Sequence, residues 1–275
     1  MIYSTILVQL DVDGSSEGRI EFAWELARRF EADLVGFAAC GVRPVVSAAD
    51  GAVVDGVVLR YQIEEIENRL KMMKGEFEEK TGDSNRAHWK GFVGNPTQLL
   101  AQHVRAADLV VIGCTENGVA GDYYRTVDIG TLILSAGRPI LLASEDLTPA
   151  KGDNIVVAWK DTREARRAVV DALPFLVRAR DVLLVTLEQD DQPQARNSVA
   201  DVVRFLARHG ARARSDVVAV GSGQEGEALG QIAHGIGADM VVAGGFGHSR
   251  LHEWAFGGVT RSLLRDGSLN RLFSN

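Results

Sequence analysis

Residues 244–264 read GGFGHSRLHEWAFGGVTRSLL and follow directly on the apolar run MVVA, residues 240–243. The stretch carries five glycines in two groups, Gly244, Gly245 and Gly247 before an insert and Gly257 and Gly258 after it. A short apolar run reads as a buried strand, and the pattern over Val259–Leu264 reads as the start of a helix. Glycine backbone can approach an oxygen without a Cβ in the way. A helix start presents unpaired N–H groups and the positive end of the helix dipole. Together they predict a cradle for phosphate. Thr260 would add a hydroxyl donor, and His248 and Arg250 would add charge.

Working outward, the apolar run has a counterpart. DMVVAG from Asp239 resembles DLVVIG from Asp108, NIVVAWKDTRE from Asn154 resembles TILVQLDVDG from Thr5, and RPILLAS from Arg138 resembles NRLFSN from Asn270. In each half, apolar runs of four to six residues alternate with amphipathic runs. Residues Ala165, Ala168, Val169, Ala172, Leu173 and Leu176 share one helical face. Such runs between helices imply parallel strands covered on both faces, and right-handed crossovers give a doubly wound sheet. The sequence therefore predicts an α/β protein of two tandem doubly wound domains, 1–147 and 152–275. Each is expected to hold a five-stranded, mainly parallel sheet with helices on both faces. The junction lies near SEDLTPAKGD, where Pro149 and Gly152 interrupt any periodicity. The first half carries extra residues over 42–59 and a charged helix near Arg60–Lys80, which reads as a solvated face.

The composition is that of an ordinary globular chain, 46% apolar and 24% charged over 275 residues. The net charge of -7 argues against a general nucleic-acid or anionic-membrane binder, because both need a positive field. No run of about 18 apolar residues occurs. The opening MIYSTILVQLDVDG has no basic leader and reads as a strand, so a cytoplasmic location is expected. The two cysteines, Cys40 and Cys114, are too few for a disulfide framework or a metal cluster.

The spacing Gly-x-x-Gly, nine residues, then Gly and a small residue resembles the nucleotide-binding signature of the universal stress protein family. The whole chain resembles a tandem member of that family, with residues 244–264 as the most specific part. The resemblance implies a stress-response binding protein with ATP, or a related adenine nucleotide, with or without Mg, held in the second domain. The implied phosphate residues are Gly244, Gly247, Gly257, Gly258, Val259 and Thr260, with His248 added for its charge although a lone histidine there also reads as a surface residue. Gly258 departs from the family pattern, which often has a hydroxyl residue there. Adenine and ribose are implied near the ends of the first two strands, at Ala158, Lys160, Asp161 and Leu187. The family has Asp-Gly-Ser after its first strand; here Lys160, Asp161 and Thr162 stand in that turn. Either Lys160 faces the phosphates or Asp161 replaces the usual acid, and Asp161 also reads as an ordinary helix N-cap. The family further implies pairing of the two halves through their last strands, inside one chain, and leaves room for a homodimer. Asn270 and Arg271 read as weakening the second of those strands.

The first half is an internal control. Gly113 and Gly244 end their strands 26 residues before Pro139 and Asn270, so the halves align without a gap. Gly247 then becomes Glu116, Gly257 becomes Thr126, Gly258 becomes Val127 and Thr260 becomes Ile129. Glu116 would set a carboxylate against the phosphates. One nucleotide per chain, in the second half, is the expectation.

Three other readings stand beside it: glycines that serve only the turn, a nucleotide-free scaffold, and a very slow ATP hydrolase. No catalytic set is visible: the six histidines are not at metal-ligand spacing, no P-loop or nucleophile elbow occurs, and no carboxylate is placed to activate water. GSGQEG from Gly221 matches a dinucleotide fingerprint. It follows the third strand of its half rather than the first, and no acidic residue ends the next strand, so it reads as a turn into a helix at Glu225. VGNPTQLL reads as a turn with Asn95 as cap and Pro96 in the first helical position.

Overall fold

The computed structural model describes residues 2–43, 56–82, 84–113, 122–188, 193–246 and 258–275. The first half runs β1 (Thr5–Leu10), α1 (Glu17–Phe30), β2 (Asp33–Cys40), α2 (Gly56–Thr81), β3 (Ala87–Val93), α3 (Pro96–His103), β4 (Leu109–Ile112), α4 (Ile129–Ser135) and β5 (Ile140–Leu142). The second runs β6 (Asn154–Ala158), α5 (Arg163–Asp171), α6 (Leu173–Leu176), β7 (Asp181–Glu188), α7 (Pro193–Arg208), β8 (Ala213–Ala219), α8 (Glu225–Gly235), β9 (Met240–Gly244), α9 (Gly258–Arg265) and β10 (Asn270–Ser274).

The fold is α/β, and all ten strands form one sheet in the order β3-β2-β1-β4-β5-β10-β9-β6-β7-β8. Within each half the pairings are parallel. The exception is the middle of the sheet, where β5 and β10 run antiparallel, with Ile140 opposite Phe273 and Leu141 opposite Leu272. Strand side chains alternate between two cores, as the two-residue period demands. Ile6, Val8, Met240, Val242 and Leu272 enter one; Leu7, Val241, Ala243 and Phe273 enter the other.

Local chemistry explains the element ends. The Asn95 carboxamide accepts from the Gln98 amide at 2.9 Å, with Pro96 in the first turn of α3. Gly223 adopts φ +83°, a left-handed conformation that glycine tolerates without strain. Gly226 lets α8 press against Ser262 of α9. The glycines of GSGQEG thus shape a turn and a helix contact. The apolar face predicted over 165–176 is buried, but it belongs to two helices. The chain breaks at Ala172, two residues before Pro174, whose ring cannot continue the hydrogen-bond ladder.

Asn270 and Arg271 do not leave β10 polar and loose. Asn270 is 1% exposed, accepts from the Ser144 amide at 3.1 Å and donates to the carbonyls of Thr148 and Asp239. Arg271, also 1% exposed, donates to the carbonyls of Leu263, Asp266 and Ala143. Its guanidinium thereby ties the last turn of α9 to the end of β5.

Candidate functional site

The order β3-β2-β1-β4-β5 reverses direction between β1 and β4, and the second half reverses in the same way between β6 and β9. In open parallel sheets a ligand crevice forms beyond the carboxyl ends of the strands at such a reversal. In the second half the strand ends at this reversal are Ala158 and Gly244. Ala158 pairs with Ala243, so Gly244 lies one residue further towards the edge. Leu187 lies on the same edge of β7, two residues past Val185, the partner of Ala158. Ala158, Leu187, Phe246 and Val259 are half-buried and pack against a single core. Ala158, Leu187 and Val259 therefore share one face, while Gly244, at the same edge, packs against α5 on the other.

The remaining predicted residues separate into three groups. Gly258, Val259 and Thr260 form the first turn of α9, with Thr260 buried and Gly258 exposed. Gly247, His248 and Gly257 lie outside the described residues, as do Arg250 and Glu116. Lys160 and Asp161 follow β6 and are both exposed. Asp161 is not the N-cap of α5: that residue is Thr162, whose hydroxyl accepts from the Ala165 amide at 3.3 Å. The Asp161 carboxylate instead accepts from Arg166, at 2.6 and 3.0 Å. That engagement leaves Lys160 as the cation of the turn; it enters no ion pair among the described residues.

Two acidic residues that the sequence reading missed lie near the strand end and the helix start, and the first, Glu164, pairs with Arg163 at 3.1 Å. Glu164, 7% exposed, lies over Gly244: a Cβ there would sit 3.0 Å from that of Glu164 and 2.6 Å from the Ala165 nitrogen. Helix α5 thus packs directly on the strand end, and only glycine fits at 244. The second is Glu225, whose Oε2 lies 3.5 Å from where a Cβ on Gly258 would be. Both arrive through tertiary packing, and no local pattern marks them.

The first half differs at the equivalent point. Where Gly244 faces Ala165, Gly113 faces the guanidinium of Arg19, which fills the space a side chain would take. Arg19 donates to the Gln9 carbonyl at 3.0 Å and pairs with Asp11 at 2.9 Å. Its side chain is 13% exposed. The first crevice is therefore plugged by the protein itself. The start of α4 is also closed: Asp128 caps it, its carboxylate accepting from the Thr131 amide at 2.5 Å. Nearby, burial pushes the Cys40 thiol up, an effect that Arg125 partly offsets. The signal for the plug was present in the sequence, since Arg19 and Ala165 each stand three residues after the N-cap position of their helix. Arg19→Ala should cost about 1–3 kcal/mol, from the loss of charge-assisted hydrogen bonds to a half-shielded carboxylate. Urea unfolding measures it, and an unchanged midpoint would show that the plug is not held.

Among the described residues no group of three or more metal-ligating side chains is assembled, and no helix is long and apolar enough to cross a membrane. The sequence matches no protein-family model and no curated protein. Solved structures do match. A universal stress protein from Archaeoglobus fulgidus DSM 4304 is 12% identical, with a TM-score of 0.72, over 98% of this chain and 96% of that one. A putative universal stress protein from Pseudomonas aeruginosa UCBPP-PA14 is 14% identical, with a TM-score of 0.60, over 99% and 93%. A functionally unknown protein from Pseudomonas aeruginosa PAO1 is 13% identical, with a TM-score of 0.57, over 99% and 92%. From end to end, the chain has the fold of the universal stress proteins.

Proposed function

We propose that the chain is a stress-response binding protein of the cytoplasm that holds one adenine nucleotide, ATP, in its second half. Residues 1–147 and 152–275 act as two domains of one design, of which the first has lost its site. The observation that carries this reading is the contrast at the two strand reversals: the Arg19 guanidinium fills the space over Gly113, whereas the neighbours of Gly244 are the backbone of α5 and the Cβ of Glu164, with no guanidinium set across the strand end. A helix start next to a glycine strand end suits an anion. Adenine and ribose would rest on Ala158 and Leu187. The phosphates would meet the amides of Gly258 and Val259 and the hydroxyl of Thr260, with Lys160 as counter-charge. Gly247, His248 and Gly257 enter from the sequence alone.

Glu225 sets the form of the ligand, since the Glu164 carboxylate is paired with Arg163. A carboxylate beside the helix start repels a bare triphosphate, and a divalent cation carried on the phosphates removes that repulsion. ATP is therefore expected to bind more tightly with Mg than without it. Calorimetric titration with ATP, with and without Mg, should return one site per chain; two equal sites, or none, would overturn the reading. Turnover is expected to stay at background.

A further inference from the structure

The first half holds an open groove of about 550 Å³ that is separate from the plugged crevice. One wall is a single stripe of α2: Tyr61, Glu64, Glu65, Asn68 and Met72 recur at helical spacing. The adjoining stripe, Ile66, Leu70, Met73 and Phe77, is buried and fixes the helix to the core. The facing wall is the turn after β1, Val12 and Asp13, together with Arg125. Tyr61 and Met72 are 71% and 54% exposed, so the groove has an aromatic and a thioether surface that no other described residue covers.

The charges lining the groove do not cancel. Asp13 is matched by Arg125 at 3.0 Å. Arg69 spends its Nε on the Val12 carbonyl at 3.0 Å and anchors the helix to the turn. Glu64 and Glu65 enter no ion pair among the described residues, so two free carboxylates face one remaining guanidinium. An aromatic face beside surplus carboxylate is the surface that recognises an organic ammonium ion. The net charge of -7 favours the approach of such a cation. A groove of this size suits a small organic molecule.

We propose that this groove binds a small organic monocation with a flat apolar body, its ammonium group against Glu64 and Glu65 and its body on Tyr61 and Met72. The proposal does not rest on the nucleotide site. The test uses the full-length protein and three soluble probes of one shape: 3-phenylpropylammonium, 3-phenylpropanol and 3-phenylpropanesulfonate. Binding is read by saturation-transfer and amide-shift NMR. The ammonium should bind, with shifts confined to α2 and the turn after β1, and the alcohol should bind about tenfold more weakly. The sulfonate should not bind. Glu64→Gln with Glu65→Gln should weaken the ammonium about tenfold, and Tyr61→Leu several-fold; all three positions are exposed, so the fold is not at issue. Salt of about 1 M should weaken binding as well. The proposal is overturned if the alcohol or sulfonate binds as well as the ammonium. It is equally overturned if the double variant binds unchanged, or if no probe binds at millimolar concentration.

Discussion

Arg271→Ala is expected to destabilise the protein by about 3–5 kcal/mol, the scale of a large buried truncation combined with orphaned hydrogen-bond partners. Arg271 is 1% exposed, and its guanidinium donates to three carbonyls. Two of these, on Leu263 and Asp266, lie at the end of α9, and the third, on Ala143, follows β5. Truncation leaves a cavity and three carbonyls facing it in the middle of the sheet. Arg271→Met separates the two losses: it keeps most of the volume and gives up only the hydrogen bonds, so it should cost less than the alanine variant. Urea unfolding measures both. If neither variant moves the midpoint, the buried guanidinium does not hold the two halves together. Because the same side chain secures the carboxyl end of the helix whose amino end is assigned to phosphate, nucleotide affinity should fall in parallel with stability.

Gly257→Glu should weaken ATP binding by about 100-fold or more, roughly 2.7 kcal/mol or above. The carboxylate would enter a site proposed to hold phosphate, where like charges repel at short range. Glu225 already stands beside the start of α9, so a second carboxylate tips a balance that Mg would otherwise restore. Thr260→Val gives the scale for a milder change. It removes one hydroxyl donor at nearly constant volume and should cost about 1 kcal/mol, roughly fivefold in affinity. Both variants are to be read alongside their thermal midpoints, so that a lost site is distinguished from a lost fold. Equal affinity for the Gly257→Glu variant and wild type would mean that the phosphates are held somewhere else.

Strand positions were legible because β-strands buried on both faces leave uninterrupted apolar runs, as in DLVVIG and DMVVAG. The Asn95 cap and the turn at Gly223 were legible because their chemistry is local. Helix α5 ended early through a signal that was present: Pro174 has no amide hydrogen to continue the hydrogen-bond ladder. What local pattern could not show is what distant elements bring together. Nothing near Glu164 or Glu225 announces a neighbouring strand end or helix start; that proximity comes from α5 packing on Gly244 and α8 packing on α9. Arg271 misled for the same reason. A charged residue in a strand reads as exposed until the carbonyls that satisfy it are placed around it. The contrast between Arg19 and Ala165 was within reach of the sequence, but only once both helix starts had been aligned.

A crystal structure of the protein grown with ATP and Mg tests the central claim most directly. The account predicts one triphosphate per chain, set against the amides of Gly258 and Val259 with Lys160 alongside, and Arg19 still seated over Gly113. A triphosphate at the start of α4, beside Asp128, with none near Thr260, would contradict it.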